Sequence, residues 1–305
     1  MNVSTTKSIL SLFLLFLLII PAAYAQRPVQ LSLIPGWGTN GPLNSKETND
    51  FSINGIGGSA AGLDGVELGG AFNIETKSVK GYQAAGIFNK VGDTVKGVQA
   101  AGVFNIAGQL KGVQLAGLLN KTHYLKGVQL GIVNIADTSD GVSIGLITIV
   151  RHGIHELSFY ADEWSPLNIA FRSGTRKFYS ILIAGMNPDH DRRSYYFGYG
   201  VGHSFSLTQN LALRPELSFV HLAPLEPHNF DHNDFLTRLN LDLHWSASKE
   251  LSLSAGPSFT LYDPQRNYYI GSVKYEPLPH GYSTFSFKNS ALSGWIGWRV
   301  AADIF

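Results

Sequence analysis

The chain of 305 residues has a net charge of only +1, charged residues make up a low 15%, and there is no cysteine. That composition excludes a disulfide framework, a thiolate metal site and a lipidated cysteine. It also excludes nucleic acid as a partner, because Lys and Arg are scattered singly instead of gathered into a basic stripe. Abundant Gly, Phe and Tyr suit an all-β or membrane-β chain.

Residues 1–25 read as an export signal peptide. Lys7 supplies positive charge, "ILSLFLLFLLII" at 9–20 is an apolar core, and "AYA" at 23–25 fits a small-residue cleavage site. The apolar run is shorter than the roughly 20 residues a bilayer-spanning helix needs, so a mature chain beginning near Gln26 is expected. Residues 26–50 read as an N-terminal connecting segment.

Residues 51–150 are a repeat region. "GYQAAGIFN" (81–89), "GVQAAGVFN" (97–105), "GVQLAGLLN" (112–120) and "GVQLGIVN" (127–134) are near copies, and the opening glycines at 65, 81, 97, 112, 127 and 141 are spaced by 16, 16, 15, 15 and 14. About seven such units in series predict a β-solenoid, in which one unit cannot bury its own apolar side and must stack on its neighbours. Gln83, Gln99, Gln114 and Gln129 would then lie in one ladder, and Asn73, Asn89, Asn105, Asn120 and Asn134 in another. Val98, Val113 and Val128 would form an apolar column, and the opening glycines would mark corners where positive φ or close approach is needed. The competing reading makes each unit a strand of a membrane barrel. Against it, the residue lost from "QLGIVN" would turn all later side chains over if it fell inside a strand, but is tolerated at a corner. "GIGGSAAG" at 55–62 resembles a nucleotide loop only superficially, since strand-to-helix context and a downstream acid are missing.

Residues 151–305 change to a period of two. Strands are predicted at 155–161, 167–172, 177–185, 195–205, 211–221, 235–245, 251–261 and 292–304, joined by alternating short turns and longer loops, the signature of an outer-membrane barrel with periplasmic turns and external loops. The opening link around "DEWS" is a short external exception. The polar faces collect Glu156, Arg172, Arg214, Glu216, Arg238, Asp242, Arg299 and Asp303. In an eight-stranded barrel this set should pair inside and fill the bore, which excludes a wide pore. Tyr195, Trp245, Trp164 and Tyr262 fall near strand ends as candidate interfacial girdles. Pro215 and Pro257 demand a bulge or interruption, and Phe305 is out of phase with the last strand's apolar row. A soluble β-sandwich, with its apolar rows turned inward, is the alternative.

Candidate chemistry is sparse. His152, His155 and Glu156 in "HGIHE", and His228, Asp231, His232 and Asp234 in "HNFDHND", are of metal-ligating type but lack the helical HExxH spacing. His203 and Ser204 are adjacent on a strand and point to opposite faces, so they cannot form a nucleophile–base pair. No catalytic, cofactor-binding or metal-binding residue is assigned.

The "VQLSLIPGWGTNG" start at 29–41, the "GVELGGAFN" and "GVQLAGLLN" units and the junction "HELSFYADEWSPLNIAFRSGTRKFYSILIAG" at 155–185 resemble uncharacterised surface-repeat proteins of Bacteroidetes cell envelopes. The likeness covers most of the mature chain and implies an exported envelope protein of a Gram-negative cell, but it brings no catalytic residues and no settled activity; no cofactor is expected. The expectation is therefore an all-β, non-enzymatic outer-membrane protein, in which a barrel anchor of about eight strands follows a repeat module. Its partners would be outer-membrane lipid and an extracellular ligand or envelope protein met through the external loops 222–234 and 263–291, the latter holding Tyr268, Tyr269, Tyr275, Tyr282 and Phe285. Residue 154, and with it the solenoid, would lie on the periplasmic side. A narrow channel or transporter and a lipid-modifying enzyme are the two alternatives.

Overall fold

The computed structural model describes residues 29–41, 46–188, 194–224, 234–263, 269–270, 273–274, 279, 281–287 and 292–305. The export segment, His228, Asp231, His232, Tyr268 and Tyr275 lie outside these. The chain divides into two compact units, one ending at Gly102 and the other spanning Val103–Phe305.

In the first unit the repeats stack as parallel coils, with Val66, Tyr82 and Val98 in successive rungs of one ladder and Phe72 on Phe88 in another. Gln99 Nε2 donates to Gln83 Oε1 at 3.0 Å. Asn73 uses both amide hydrogens, one on Asn89 Oδ1 at 2.9 Å and one on the Ala84 carbonyl at 2.8 Å. Gln99 and Asn73 thus tie their own coils to a neighbouring one through buried amide donors. The stack starts earlier than the repeat suggests: Val29–Ile34 pairs parallel with Phe51–Asn54, and Gln30 donates to Asn54 Oδ1 at 3.1 Å. The "GIGGSAAG" stretch contributes an ordinary coil strand, Gly57–Ala60, paired with Phe72–Glu75.

The opening glycines are not all corners. Gly81 and Gly97 lie within strands at φ of 113° and 140°. A Cβ on Gly97 would fall 2.0 Å from the Gly81 carbonyl oxygen of the coil beneath. Close approach of stacked backbones, not a change of direction, requires glycine there.

The second unit holds the last coils and a barrel. Val113, Val128 and Val142 continue one ladder and Asn120 lies on Asn134, so the residue lost from "QLGIVN" is absorbed in the bend at Gly131–Ile132 without changing register. Gln129 donates to Gln114 at 2.9 Å, and Asn105, Asn120 and Asn134 form a chain of bonds at 3.1 and 3.0 Å.

The barrel strands are β1 (Ile154–Asp162), β2 (Leu167–Gly174), β3 (Tyr179–Asn187), β4 (Ser194–Gly202), β5 (Leu211–Pro224), β6 (Asp234–Ser246), β7 (Leu251–Asp263) and β8 (Ser293–Ile304). Each pairs antiparallel with the next, and β1 pairs with β8 to close the ring, from Leu157 opposite Ile304 to Asp162 opposite Arg299. Closure pairs the two strands that would otherwise be the sheet's edges. Leu239, Leu241, Leu251 and Leu253 are 41–45% exposed on the outside, whereas Arg238 and Asp242 are 4% and 1% exposed inside. An apolar exterior around an ionic interior is the arrangement of an outer-membrane-type barrel, and the reverse of a sandwich.

Both prolines meet interruptions. Rungs are missing between β6 and β7 at Pro257, where pairing stops at Ser258 and resumes at Ala255. Pro215 faces the gap between β4 and the short strand Phe205–Ser206. The girdle assignment divides. Tyr195 and Trp245 are exposed outside, but Trp164 and Tyr262 are buried, because Tyr262 has inward parity and the link bearing Trp164 folds into the barrel mouth.

Candidate functional site

The bore is filled by charged side chains in tiers, set by alternate residues of neighbouring strands. Nearest the short turns, Arg214 grips both oxygens of Glu156. In the middle, Arg172 binds Glu216 at 2.7 and 3.2 Å and Asp303 at 3.2 Å, while Arg299 bridges Glu216, at 2.6 Å, and Asp242. Tyr179 donates to Glu216 at 3.0 Å, and the Arg299 guanidinium lies 5.5 Å from the Tyr160 ring centre. At the long-loop end, Arg238 pairs with Asp162 and, at 3.3 Å, with Glu163.

All eight charges expected inside are there. Asp162 and Glu163 are additions. Asp162 continues the inward parity of Glu156, Ser158 and Tyr160, so it was legible in principle. Glu163 was not, since it belongs to the link and reaches inside by a turn in which Asp162 Oδ1 accepts the N–H groups of Trp164 and Ser165 at 2.9 and 2.7 Å. Glu163 then accepts from Trp295 Nε1 at 2.8 Å and Ser258 at 3.2 Å. Trp164 packs edge-on to Tyr196 at 4.8 Å. The link is a plug.

The opposite mouth opens into a polar cavity of about 500 Å³ whose lining includes Glu156, Arg176, Lys177, Arg214, His244 and Phe305. Glu156 and His244 of this lining and Asp303 bring ligand atoms within 4.8 Å of one another. Their oxygens are already committed, Glu156 to Arg214 and Asp303 to Arg172 and, at 2.5 Å, Ser254. A cation there would have to displace arginine. Ser254, His244 and Asp303 also include the residue types of a hydrolase triad. However, Ser254 Oγ at 3.0 Å and Asp303 Oδ2 at 3.2 Å both face the same His244 nitrogen, Nδ1, whereas a proton relay needs the serine and the acid on opposite nitrogens.

The other candidates disperse. His152 and His155 each contact a backbone carbonyl, of Asp137 at 3.0 Å and Val150 at 2.7 Å, and Glu156 points into the bore. His203 contacts the Lys177 carbonyl at 2.7 Å and not Ser204. Asp234 accepts from Tyr262 at 2.8 Å.

At the long-loop rim, Thr284–Ser286 pairs with Trp295–Ser293 beyond the end of β1, extending the wall. Its Phe285 stacks on Phe259 at 5.7 Å and meets Phe287 edge-on, and Tyr282, Phe285 and Phe287 are exposed.

Fold and bore together define a coil-bearing, outer-membrane-type β-barrel. Protein-family models and curated proteins give no match to the chain. Among solved structures, it is similar to Neisserial surface protein A, NspA, at 11% identity and a TM-score of 0.26, over 49% of this chain and 93% of that one.

Proposed function

We propose that this is a non-enzymatic outer-membrane surface protein: the barrel anchors the chain, and binding of an adhesion type falls to the exposed rim and the repeat module. The observation that carries the reading is the bore itself. Three tiers of ion pairs and the inward-folded Glu163–Trp164 link occupy the bore among the described residues. A barrel so filled spends its interior on stability and presents its chemistry at its ends. The aromatic rim at 282–287 supports a contact role, since Tyr and Phe give large contact area at low entropic cost. The resemblance to envelope surface-repeat proteins supports the same reading.

The test is reconstitution. Purified protein should partition into outer-membrane fractions, migrate differently on gels before and after heating, and add no unitary conductance to planar bilayers. Steady ion-sized steps from the folded protein would favour the narrow channel instead.

A further inference from the structure

The coils of the second unit combine two opposite patterns. Along one flank the arrangement is that of a water-soluble solenoid: Leu110 and Leu125 are buried inside, and Lys111, Lys121, His123, Lys126 and Asp140 are outside. Along the other flank the arrangement inverts. Gln114, Asn120, Gln129 and Asn134 are wholly buried, while Leu115, Leu118, Leu130, Ile132, Ile144 and Leu146 stand exposed. Within 112–120, 127–135 and 141–149 there is no charged residue. Patches of this extent do not face water in monomeric proteins without a purpose.

The inverted flank is the one that meets the barrel. The terminal coil has no following coil, and two of its carbonyls are capped by hydroxyls on the outer wall. Tyr199 donates to the Gly145 carbonyl at 2.8 Å, and Ser173 donates to that of Thr148. Ser173 and its cross-strand partner Ser180 have outward parity yet are only 2% exposed, so the coil covers the two polar positions that would otherwise face lipid. Both capping residues lie toward the short-turn ends of β2 and β4, close to outward Phe171 and Ile169. The apolar coil flank is therefore continuous with the apolar barrel wall.

We infer that this flank is a lipid-contact surface: the coils of the second unit lie beside the barrel with Leu115, Leu118, Leu130, Ile132, Ile144 and Leu146 in the hydrocarbon of the leaflet at the short-turn end, and their charged flank toward the headgroups. The occupant is acyl chain. Two properties suit it: the ladders satisfy the coil backbone, as hydrocarbon demands, and polarity is turned inward, as on barrel strands. The inference rests on the membrane reading of the barrel.

The chain lacks cysteine, so single-cysteine variants of the full-length protein report one site each. Leu130→Cys, Ile132→Cys and Leu146→Cys, with Leu241→Cys on the barrel wall and His123→Cys on the charged flank, are labelled with bimane. They are refolded into phosphatidylcholine vesicles carrying doxyl-labelled lipid, and folding is verified by heat-dependent gel migration. Quenching at the three coil sites should match Leu241→Cys and exceed His123→Cys several-fold. Silent coil sites beside a quenched Leu241→Cys overturn the inference and leave the barrel reading standing. Unquenched coil sites, together with disulfide-linked dimers when the same variants are left unlabelled and oxidised in air, overturn it in favour of a second copy as occupant. If Leu241→Cys is silent too, the membrane reading itself fails.

Discussion

Arg214 holds Glu156 by both terminal nitrogens, Nη1 to Oε2 at 2.5 Å and Nη2 to Oε1 at 2.8 Å, across 58 residues of sequence and with both groups inside the barrel. Two charges removed from water this completely are stable only as a pair. Arg214→Ala strands Glu156 and should cost about 3–5 kcal/mol, whereas Arg214→Met combined with Glu156→Leu should return most of that loss. Urea unfolding in detergent micelles, followed by tryptophan fluorescence, measures both.

The plug and the ionic tiers are separate sets of side chains in the bore. Glu163→Ala with Trp164→Ala removes the plug but leaves Arg238 on Asp162 at the long-loop mouth and Arg172, Glu216 and Arg299 in the middle, so that variant should remain non-conducting in planar bilayers. Removing the tiers as well, through Arg172→Ala, Glu216→Ala and Arg299→Ala in the middle and Glu156→Ala, Arg214→Ala and Arg238→Ala at the two ends, should admit small ions. Conductance from the plug variant alone would show that the middle tier does not seal.

The barrel was largely legible because its period is two: inward parity assigned all eight predicted bore charges, and strand limits differed from those observed by two or three residues at most. The expected need for positive φ or close approach holds at Gly81 and Gly97, but their expected place at corners does not, since they answer to a carbonyl in another coil, which local sequence does not display. Trp164 was misplaced, and Glu163 was missed, because a four-residue link has no parity, and only the Asp162 turn sends them inward. The Gln and Asn ladders were visible in the repeat, and their register followed. The outward Leu and Ile rows beside those ladders were equally visible, but the solenoid expectation of an apolar interior hid what they meant.

Stacking makes each ladder residue answerable to two neighbours. Asn120 receives from Asn105, and donates to Asn134 and to the Leu130 carbonyl at 2.8 Å. Asn120→Ala therefore leaves more than one buried polar group unpaired and should destabilise by about 2–3 kcal/mol, given roughly 1–3 per orphaned group. Gly97→Ala sets a methyl against a backbone oxygen and a φ of 140° that L residues avoid. It should cost at least about 1–3 kcal/mol from backbone strain alone. Hydrogen exchange at the coil amides separates these losses from barrel unfolding.

The first unit carries a titratable element of its own. Glu67 occupies the ladder position held elsewhere by Gln, Glu75 is buried beside it, and Gln83 donates to both. Burial, and then the Glu67 charge, push the Glu75 carboxyl well above its ordinary value of 4.5. Its Oε1 has no donor among the described residues, so a proton is favoured there. A carboxyl whose folded pKa is raised binds its proton more tightly in the native state than in the unfolded one. The stability it confers is complete below about pH 4.5 and is lost as pH rises through the raised value. Hydrogen-exchange protection of the coil amides around 63–85 should accordingly decline with increasing pH after correction for intrinsic exchange, and Glu75→Gln, which keeps the shape and removes the charge, should flatten that decline. A wild-type profile that rises with pH over the same window would show that Glu75 is ionised and paired instead.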